Sequence, residues 1–541
     1  MGRPRTYGAR KTHPSVTASA LFSSISRKSH HSKPAVSPER SALADITSAV
    51  SNLSLDGDTE NEENRVNHHH DDDDDDESSK TLENSESEEG ESEQGSQGLT
   101  LELDENDGLE TEDEASILDA RHKHLLPLVT AYSIDTGRTM TIHSWADLLP
   151  PDCTVIKIAE ASYAEVYRIT IPSGETSIIK VMRIQSPSDP ASSTSDTAIR
   201  VENIVSEVRI MNTLTELPGF VRFKDAHIIL GRSVQAFIDA YEHREEMCKA
   251  DRASLFPHPE LYTDASEFLA IELGDAGCVL EDFAVTSIEQ VWDILLGTIL
   301  ALAKGEMANE FEHRDLHENN ICVSVSSTDS SDHTDVSTNP NLKLGRAGVK
   351  TTLIDYGLSR AKLDNGTIVF LDLEEDPMVF QGSEGHPQFN AYRRMRTNLL
   401  TGERTAKTKA WHESQTLSPS PSSAPCKSWS EYTPYSNVIW IGYILGYLKK
   451  ALKKTTTSTS TSTTTSTRNM KGKRGNGKGS KDVLALFNEE TKGLTGKLDF
   501  RTKIANGAFG TATEVLLYCV ERGWVSEVQA EEYGADVSGV F

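Results

Sequence analysis

The run His313-Arg314-Asp315-Leu316-His317-Glu318-Asn319-Asn320, followed by Leu353-Ile354-Asp355-Tyr356-Gly357, constrains this chain more than any other stretch. An aspartate, an asparagine five positions later, and a second aspartate carried by an aliphatic run form the layout that phosphoryl transfer needs. A transferring phosphoryl group spreads negative charge over its oxygens, so the protein mainly positions reactants and neutralises that charge. Asp315 is the candidate to accept or orient the proton of an attacking hydroxyl. Asn320 and Asp355 offer oxygen donors suited to a hard cation and are the candidates to hold magnesium (Mg2+). Thr351-Thr352-Leu353-Ile354 and Ile321-Cys322-Val323 read as short buried strands that place Asp355 and follow Asn320.

Upstream residues fit the same chemistry. Ser177-Ile178-Ile179-Lys180-Val181-Met182 is a strand pattern with a lysine inside it, suited to the α and β phosphates of ATP. A lysine among aliphatics is more often a snorkelling edge residue, and what raises the signal is Glu207. Ile204, Val208, Met211 and Leu214 recur at helical spacing around Glu207, so a packed helix presents that carboxylate to Lys180. Lys157-Ile158-Ala159-Glu160-Ala161-Ser162-Tyr163-Ala164-Glu165-Val166-Tyr167 has the shape of a phosphate-covering hairpin. Ala159, Ala161 and Ala164 stand where glycines are expected, because backbone must approach phosphate closely; Val166 follows on the same hairpin. This substitution puts ordinary ATP affinity in question.

Four stretches together resemble the haspin family of atypical serine/threonine protein kinases: Phe311-Glu312-His313-Arg314-Asp315-Leu316-His317, Asp355-Tyr356-Gly357-Leu358-Ser359-Arg360, Gln388-Phe389-Asn390-Ala391-Tyr392-Arg393-Arg394-Met395 and Pro434-Tyr435-Ser436-Asn437-Val438-Ile439-Trp440. The resemblance runs from about residue 145 to the C-terminus. Tyr356 stands where most kinases have phenylalanine, and no alanine-proline-glutamate motif closes the activation segment. Gly357 departs from the threonine usual in that family, and Glu318-Asn319 from a tryptophan-glycine pair.

The resemblance implies an α+β, bilobal protein-kinase-like fold, with a strand-rich N-lobe, a helical C-lobe and ATP with Mg2+ between them. It implies a monomeric nuclear, chromosome-associated enzyme, with a cytoplasmic pool left open, that phosphorylates a threonine near the N-terminus of histone H3 in mitotic chromatin. It also implies that residues 362–388 are ordered without phosphorylation. By analogy to kinases, Phe268-Leu269-Ala270-Ile271-Glu272-Leu273 is a buried strand, Leu273 controls the back of the nucleotide pocket, and Gly274, Asp275 and Ala276 supply the adenine-binding hinge. Ile288, Val291, Leu295, Ile299 and Leu302 form a helical stripe that supports the catalytic loop. Asp372-Leu373-Glu374-Glu375-Asp376 is either an acidic lip for a protein substrate with a basic tail or ordinary solvated charge.

Composition frames this site. Residues 1–120, poor in aliphatics, read as a disordered tail, basic over 1–40 and acidic over 41–117; the acidic block supplies much of the net charge of -29. Arg3, Arg5, Arg10, Lys11, Arg27, Lys28 and Lys33 make an arm suited to nucleic acid, import machinery or a partner protein. The kinase-like domain is read as 145–541, with low-complexity insertions near 324–341, 401–430 and 455–481. Six scattered cysteines fit a reducing compartment, and the apolar run 438–448 is too short to cross a bilayer, so no membrane association is expected. Two other functions stay open: a pseudokinase scaffold, on the strength of the three alanines, and a small-molecule phosphotransferase, which shares the catalytic-loop pattern.

Overall fold

A computed structural model describes residues 120–187, 197–247, 254–325, 339–417, 427–461 and 479–532. The tail 1–119 and most of the expected insertion at 324–341 lie outside the described residues.

Alternating apolar residues build a seven-stranded sheet in the N-terminal lobe. Its strands are β1 Thr141–His143, β2 Thr154–Glu160, β3 Ala164–Thr170, β4 Thr176–Ile184, β5 Ala198–Ile199, β6 Phe223–Leu230 and β7 Glu267–Gly274. The spatial order is β1-β6-β7-β4-β3-β2, with β5 added to β4. Successive side chains point to opposite faces. In β7, Leu269 and Ile271 therefore join one core, and Phe268 and Ala270 another. The first face takes α2 (Val201–Leu214), whose Ile204, Val208, Met211 and Leu214 are all buried, as their spacing requires. The second is sealed by Trp145, Tyr167, Phe237 and Tyr262.

The folded chain starts ahead of residue 145. Helix α1, Leu126–Thr136, packs on α2, where Arg209 Nε and Nη2 donate to Asp135 at 2.6 and 3.0 Å. Leu128, Val129 and Tyr132 bury one side of this helix, three residues too few and too close to stand out in the sequence.

After β7 the chain enters the C-terminal lobe through the two-residue β8, Cys278–Val279. Helix α4, Ile288–Asn309, is its axis; α3, Gln235–Met247, belongs to the N-terminal lobe. Ser287 caps α4 by accepting from Gln290 N at 3.3 Å, while Gln290 Oε1 accepts from Ser287 N. Strands β9, Ile321–Val325, and β10, Val349–Leu353, pair antiparallel beside it. Helices α5 (Pro387–Thr401), α6 (Lys409–Leu417), α7 (Tyr435–Thr461) and α10 (Ala512–Glu521) complete the lobe, with α8 (Gly479–Glu490) and α9 (Lys492–Leu498) between the last two. Among the described residues no helix is long and apolar enough to cross a membrane.

Two expected insertions are more ordered than their composition suggests. Helix α6 lies inside 401–430, with His412 buried, stacked on Phe380 at 6.0 Å, and its carbonyl accepting from Arg396 Nη1 at 2.9 Å. A single buried anchor leaves no apolar period to read. Helix α7 runs into the threonine tract as far as Thr461, and Thr455 Oγ1 donates to Val285 O at 2.6 Å. Residues 462–478, with the rest of that tract and its basic cluster, lie outside the described residues.

Candidate active site

The residues singled out in the sequence meet where the lobes join. Strand β4 carries Lys180 and α2 carries Glu207, and Lys180 Nζ lies 2.5 Å from Glu207 Oε1 and 3.3 Å from Asp355 Oδ1. Burial alone would lower the lysine pKa, but the Asp355 and Glu207 carboxylates outweigh it and raise it. Burial works against the Asp355 carboxylate too, yet Lys180, with His313 and His317 behind it, holds its pKa below the usual range.

Asn320 and Asp355 are brought together by one strand pairing. Leu353 is opposite Ile321, and Ile354 N donates to Asn320 O at 3.1 Å, so both site residues sit at the same end of the β9–β10 hairpin. Asn320 Nδ2 donates to the Asp315 carbonyl at 2.8 Å, which ties the catalytic loop together. That bond leaves the amide oxygen of Asn320 as its acceptor end, and the partly exposed Asp355 carboxylate follows the partner strand at the same end. A neutral and an anionic oxygen donor at one end of a strand pair are of the type that suits a hard divalent cation.

Asp315 is held from a direction the sequence did not reveal. Tyr392, on α5, donates its hydroxyl to Asp315 Oδ1, and Gln388 Nε2 donates to the same Tyr392 oxygen at 3.1 Å. Burial raises the Asp315 pKa well above the carboxylate range, with the Asp355 charge adding to it and the Tyr392 bond opposing it. The Tyr392 hydroxyl thus favours the ionised form of Asp315, the form able to accept a proton. Tyr392→Phe removes the hydroxyl that donates to Asp315 and accepts from Gln388. Its expected effect is a roughly tenfold fall in kcat, about 1.4 kcal/mol, with an unchanged KM for ATP and an unchanged circular dichroism spectrum. A kcat equal to wild type in steady-state assays would remove Tyr392 from the mechanism.

The loop itself is braced from below. His313 is fully buried, donates Nε2–H to Ile354 O at 3.1 Å, and has its pKa lowered by burial to about 4, so it is a neutral structural histidine. Its backbone N donates to Asn437 Oδ1 at 3.1 Å, and Asn437 Nδ2 donates to Glu306 Oε1 at 3.0 Å and to Phe311 O at 2.8 Å. Arg314 and Asp355 both adopt left-handed backbone, with φ of 64° and 65°. Such positions cost roughly 1–3 kcal/mol each and persist only where surrounding contacts enforce them. Arg314 turns inward, with Nη2 3.2 Å from Glu312 Oε1 and donating to Trp429 O at 2.7 Å. Tyr356 fills the space between Phe220, Phe311 and His313; its hydroxyl donates to Leu353 O at 2.7 Å and accepts from Val221 N at 3.2 Å. A phenylalanine there could make neither bond.

The hinge and hairpin residues flank this centre. Leu273 is buried at the end of β7, opposite Ile178, and Gly274 N donates to Arg222 O at 2.8 Å. Asp275 is engaged by Arg168 at 2.7 Å and caps Gly277 N, so its side chain braces the hinge. Ala276 leads to Gly277, whose φ of 95° and a Cβ path only 2.3 Å from Val323 O admit glycine alone. Val166 lies opposite Lys180, which puts the hairpin directly beside the lysine. Ala159 falls at a register shift in β2, Ala164 is buried, and Ala161 N donates to Ala164 O at 2.8 Å.

The acidic stretch 372–376 divides between structure and surface. Glu374 forms a paired contact with Arg396, Nε to Oε1 at 2.8 Å and Nη2 to Oε2 at 2.5 Å, and accepts from Trp429 Nε1. Asp376 caps the short turn Pro377–Phe380. Glu375 remains exposed. Arg393 donates to Phe380 O, Gly382 O and Ser383 O, so α5 pins the segment through two buried arginines.

Comparison with known proteins agrees with this geometry. The haspin like kinase domain family matches residues 124–473, a span that takes in α1. A serine/threonine-protein kinase haspin homolog from Drosophila melanogaster is 32% identical over 227 residues, 42% of this chain and 34% of that protein. One from Arabidopsis thaliana is 27% identical over 272 residues, covering 47% and 42%, and one from Schizosaccharomyces pombe is 24% identical over 306 residues, covering 53% and 54%. The match thus spans between about a third and about half of the length of these relatives. With the family match covering well over half its residues, the chain belongs to the haspin-like kinase family.

Proposed function

We propose that this chain is an ATP-dependent serine/threonine protein kinase. The observation that carries the reading is the pair of contacts made by Lys180, to Glu207 at 2.5 Å and to Asp355 at 3.3 Å, which joins strand, helix and catalytic lobe in the arrangement phosphoryl transfer needs. Lys180 holds the α and β phosphates, and Glu207 orients the lysine. Asp315 orients the acceptor hydroxyl and takes its proton. Asn320 and Asp355 hold Mg2+, which neutralises phosphate charge when bound. The backbone of Gly274, Asp275 and Ala276 meets the adenine edge, Leu273 closes the back of the pocket, and Ala159, Ala161, Ala164 and Val166 cover the phosphates.

The finer reading is a threonine near the N-terminus of histone H3 as acceptor, in mitotic chromatin, by a monomeric enzyme of the nucleus and chromosome. It rests on the family and on exposed acids of the activation segment, Glu375 and Glu384, which favour a basic peptide. The basic N-terminal arm supplies contact with chromatin or its nucleic acid in this reading. Purified chain with ATP and Mg2+ on a peptide array is expected to label a basic histone H3 N-terminal peptide and not its copy with the acceptor threonine replaced by valine. Labelling of other peptides only would sink the histone assignment. No labelling of any peptide would favour a scaffold, and labelling of small-molecule alcohols instead would favour the metabolite phosphotransferase.

A further inference from the structure

The phosphate-covering hairpin is fastened on its outer side by a buried cluster that phosphoryl transfer does not use. Lys157, on β2, has a fully buried side chain; its Nζ lies 2.5 Å from Glu165 Oε1 and 2.7 Å from Glu160 Oε1. Glu160 and Glu165 are cross-strand partners on either side of the turn, so one ammonium staples both strands where the tip begins. Each carboxylate is also tied to a neighbouring element. Glu165 accepts from Tyr167 OH at 3.0 Å and Tyr262 OH at 3.1 Å. Glu160 accepts from Ser254 Oγ at 2.5 Å and Leu255 N at 3.3 Å, with Arg244 Nη1 of α3 3.6 Å away. The lysine also sits 4.3 Å from the ring centre of Tyr241, again on α3.

Three charges buried at one place are a poor way to gain stability, because apolar side chains of similar volume do as well or better. What such a cluster supplies is a fixed geometry. The hairpin needs one fixed in advance. Glycines would let its tip adapt to a nucleotide, and alanines at 159, 161 and 164 restrict that freedom. A hairpin that closes on its ligand loses affinity to the ordering it undergoes, whereas one held in place does not.

We propose that Lys157 is a positioning residue that makes the hairpin a rigid canopy, set over the nucleotide phosphates before ATP arrives. This inference rests on the kinase reading. The test compares wild type, Lys157→Met, and the double variant Lys157→Met with Glu165→Gln, which removes both members of the closest ion pair. Hydrogen exchange without nucleotide, ATP–Mg2+ binding by calorimetry, and thermal unfolding are measured on each.

Lys157→Met is expected to exchange faster over 158–166 by tenfold or more and to bind ATP about tenfold more weakly, with kcat at saturating ATP within about threefold of wild type. The double variant is expected to recover thermal stability but not ATP affinity. Recovery of affinity together with stability would overturn the proposal by reducing Lys157 to a structural part. So would exchange over 158–166 unchanged in a folded Lys157→Met. Wild type that shows no ATP binding at all would instead overturn the kinase reading, and the canopy with it.

Discussion

Asp355→Asn is expected to lower kcat by on the order of a thousandfold, the loss seen when one fixed electrostatic group is removed from a site of developing charge. Asparagine has nearly the same shape, so the strand pairing that places it, through Ile354 N to Asn320 O, is undisturbed. What disappears is the negative charge facing Lys180 at 3.3 Å and the anionic half of the pair of oxygen donors with Asn320. Lys180 keeps its contact to Glu207 at 2.5 Å, so nucleotide binding without Mg2+ should change little, while the gain in affinity that Mg2+ gives should be lost. Calorimetry with and without Mg2+, beside steady-state rates and circular dichroism, separates these effects. Retained turnover in a folded variant would show that Asp355 does not hold the metal.

The second large effect concerns stability and lies away from the cleft. Asp293, in the second turn of α4, is completely buried, and its two oxygens accept four backbone N–H groups. Oδ1 takes Gly345 at 2.7 Å and Arg346 at 3.2 Å, and Oδ2 takes Ala347 at 2.9 Å and Val349 at 3.2 Å. This one side chain folds the turn over residues 345–349 that starts β10, the strand leading to Asp355. Asp293→Ala would leave four backbone donors without this acceptor, the bond from Val349 being buried and the other three half-buried. Water can replace part of what is lost, so the expected cost is about 4 kcal/mol rather than the full sum. Urea unfolding followed by fluorescence measures it. Asp293→Asn keeps one acceptor oxygen and should lose less. A loss under about 1 kcal/mol for the alanine variant would mean that the turn is set by something else.

The parts of this protein that could be read from sequence are those whose partners are close along the chain or whose burial is periodic. Asp315 and Asn320 belong to one loop, Lys180 sits in a strand with unbroken apolar neighbours, and the stripes of α2 and α4 repeat at helical spacing. Long-range polar contacts leave no such trace. Tyr392 lies 77 residues from Asp315, Asp293 lies 52 from Gly345, and Arg396 lies 22 from Glu374. Tyr392 and Glu374 stand out in the sequence only as members of a motif and an acidic run, and only the fold shows what each of these residues touches. The acidic stretch around Glu374 stayed open between two readings for a related reason. Charge alone does not tell a carboxylate awaiting a substrate from one already matched to a buried guanidinium. Helix α6 was missed because composition reports solvation, whereas His412 is buried by neighbours that come from other parts of the chain.

The inward turn of Arg314 carries a consequence for control. In a switchable kinase, an arginine beside the catalytic aspartate stays available to receive a phosphoryl mark. In this molecule that guanidinium is sealed against Glu312 and Trp429, and the two arginines nearest the segment, at 393 and 396, are already engaged with carbonyls and Glu374. A mark added there would find Arg314, Arg393 and Arg396 already engaged and would meet the charges of Glu374 and Glu375. Docking of a phosphate on Arg314 would first have to break its contacts to Glu312 and Trp429.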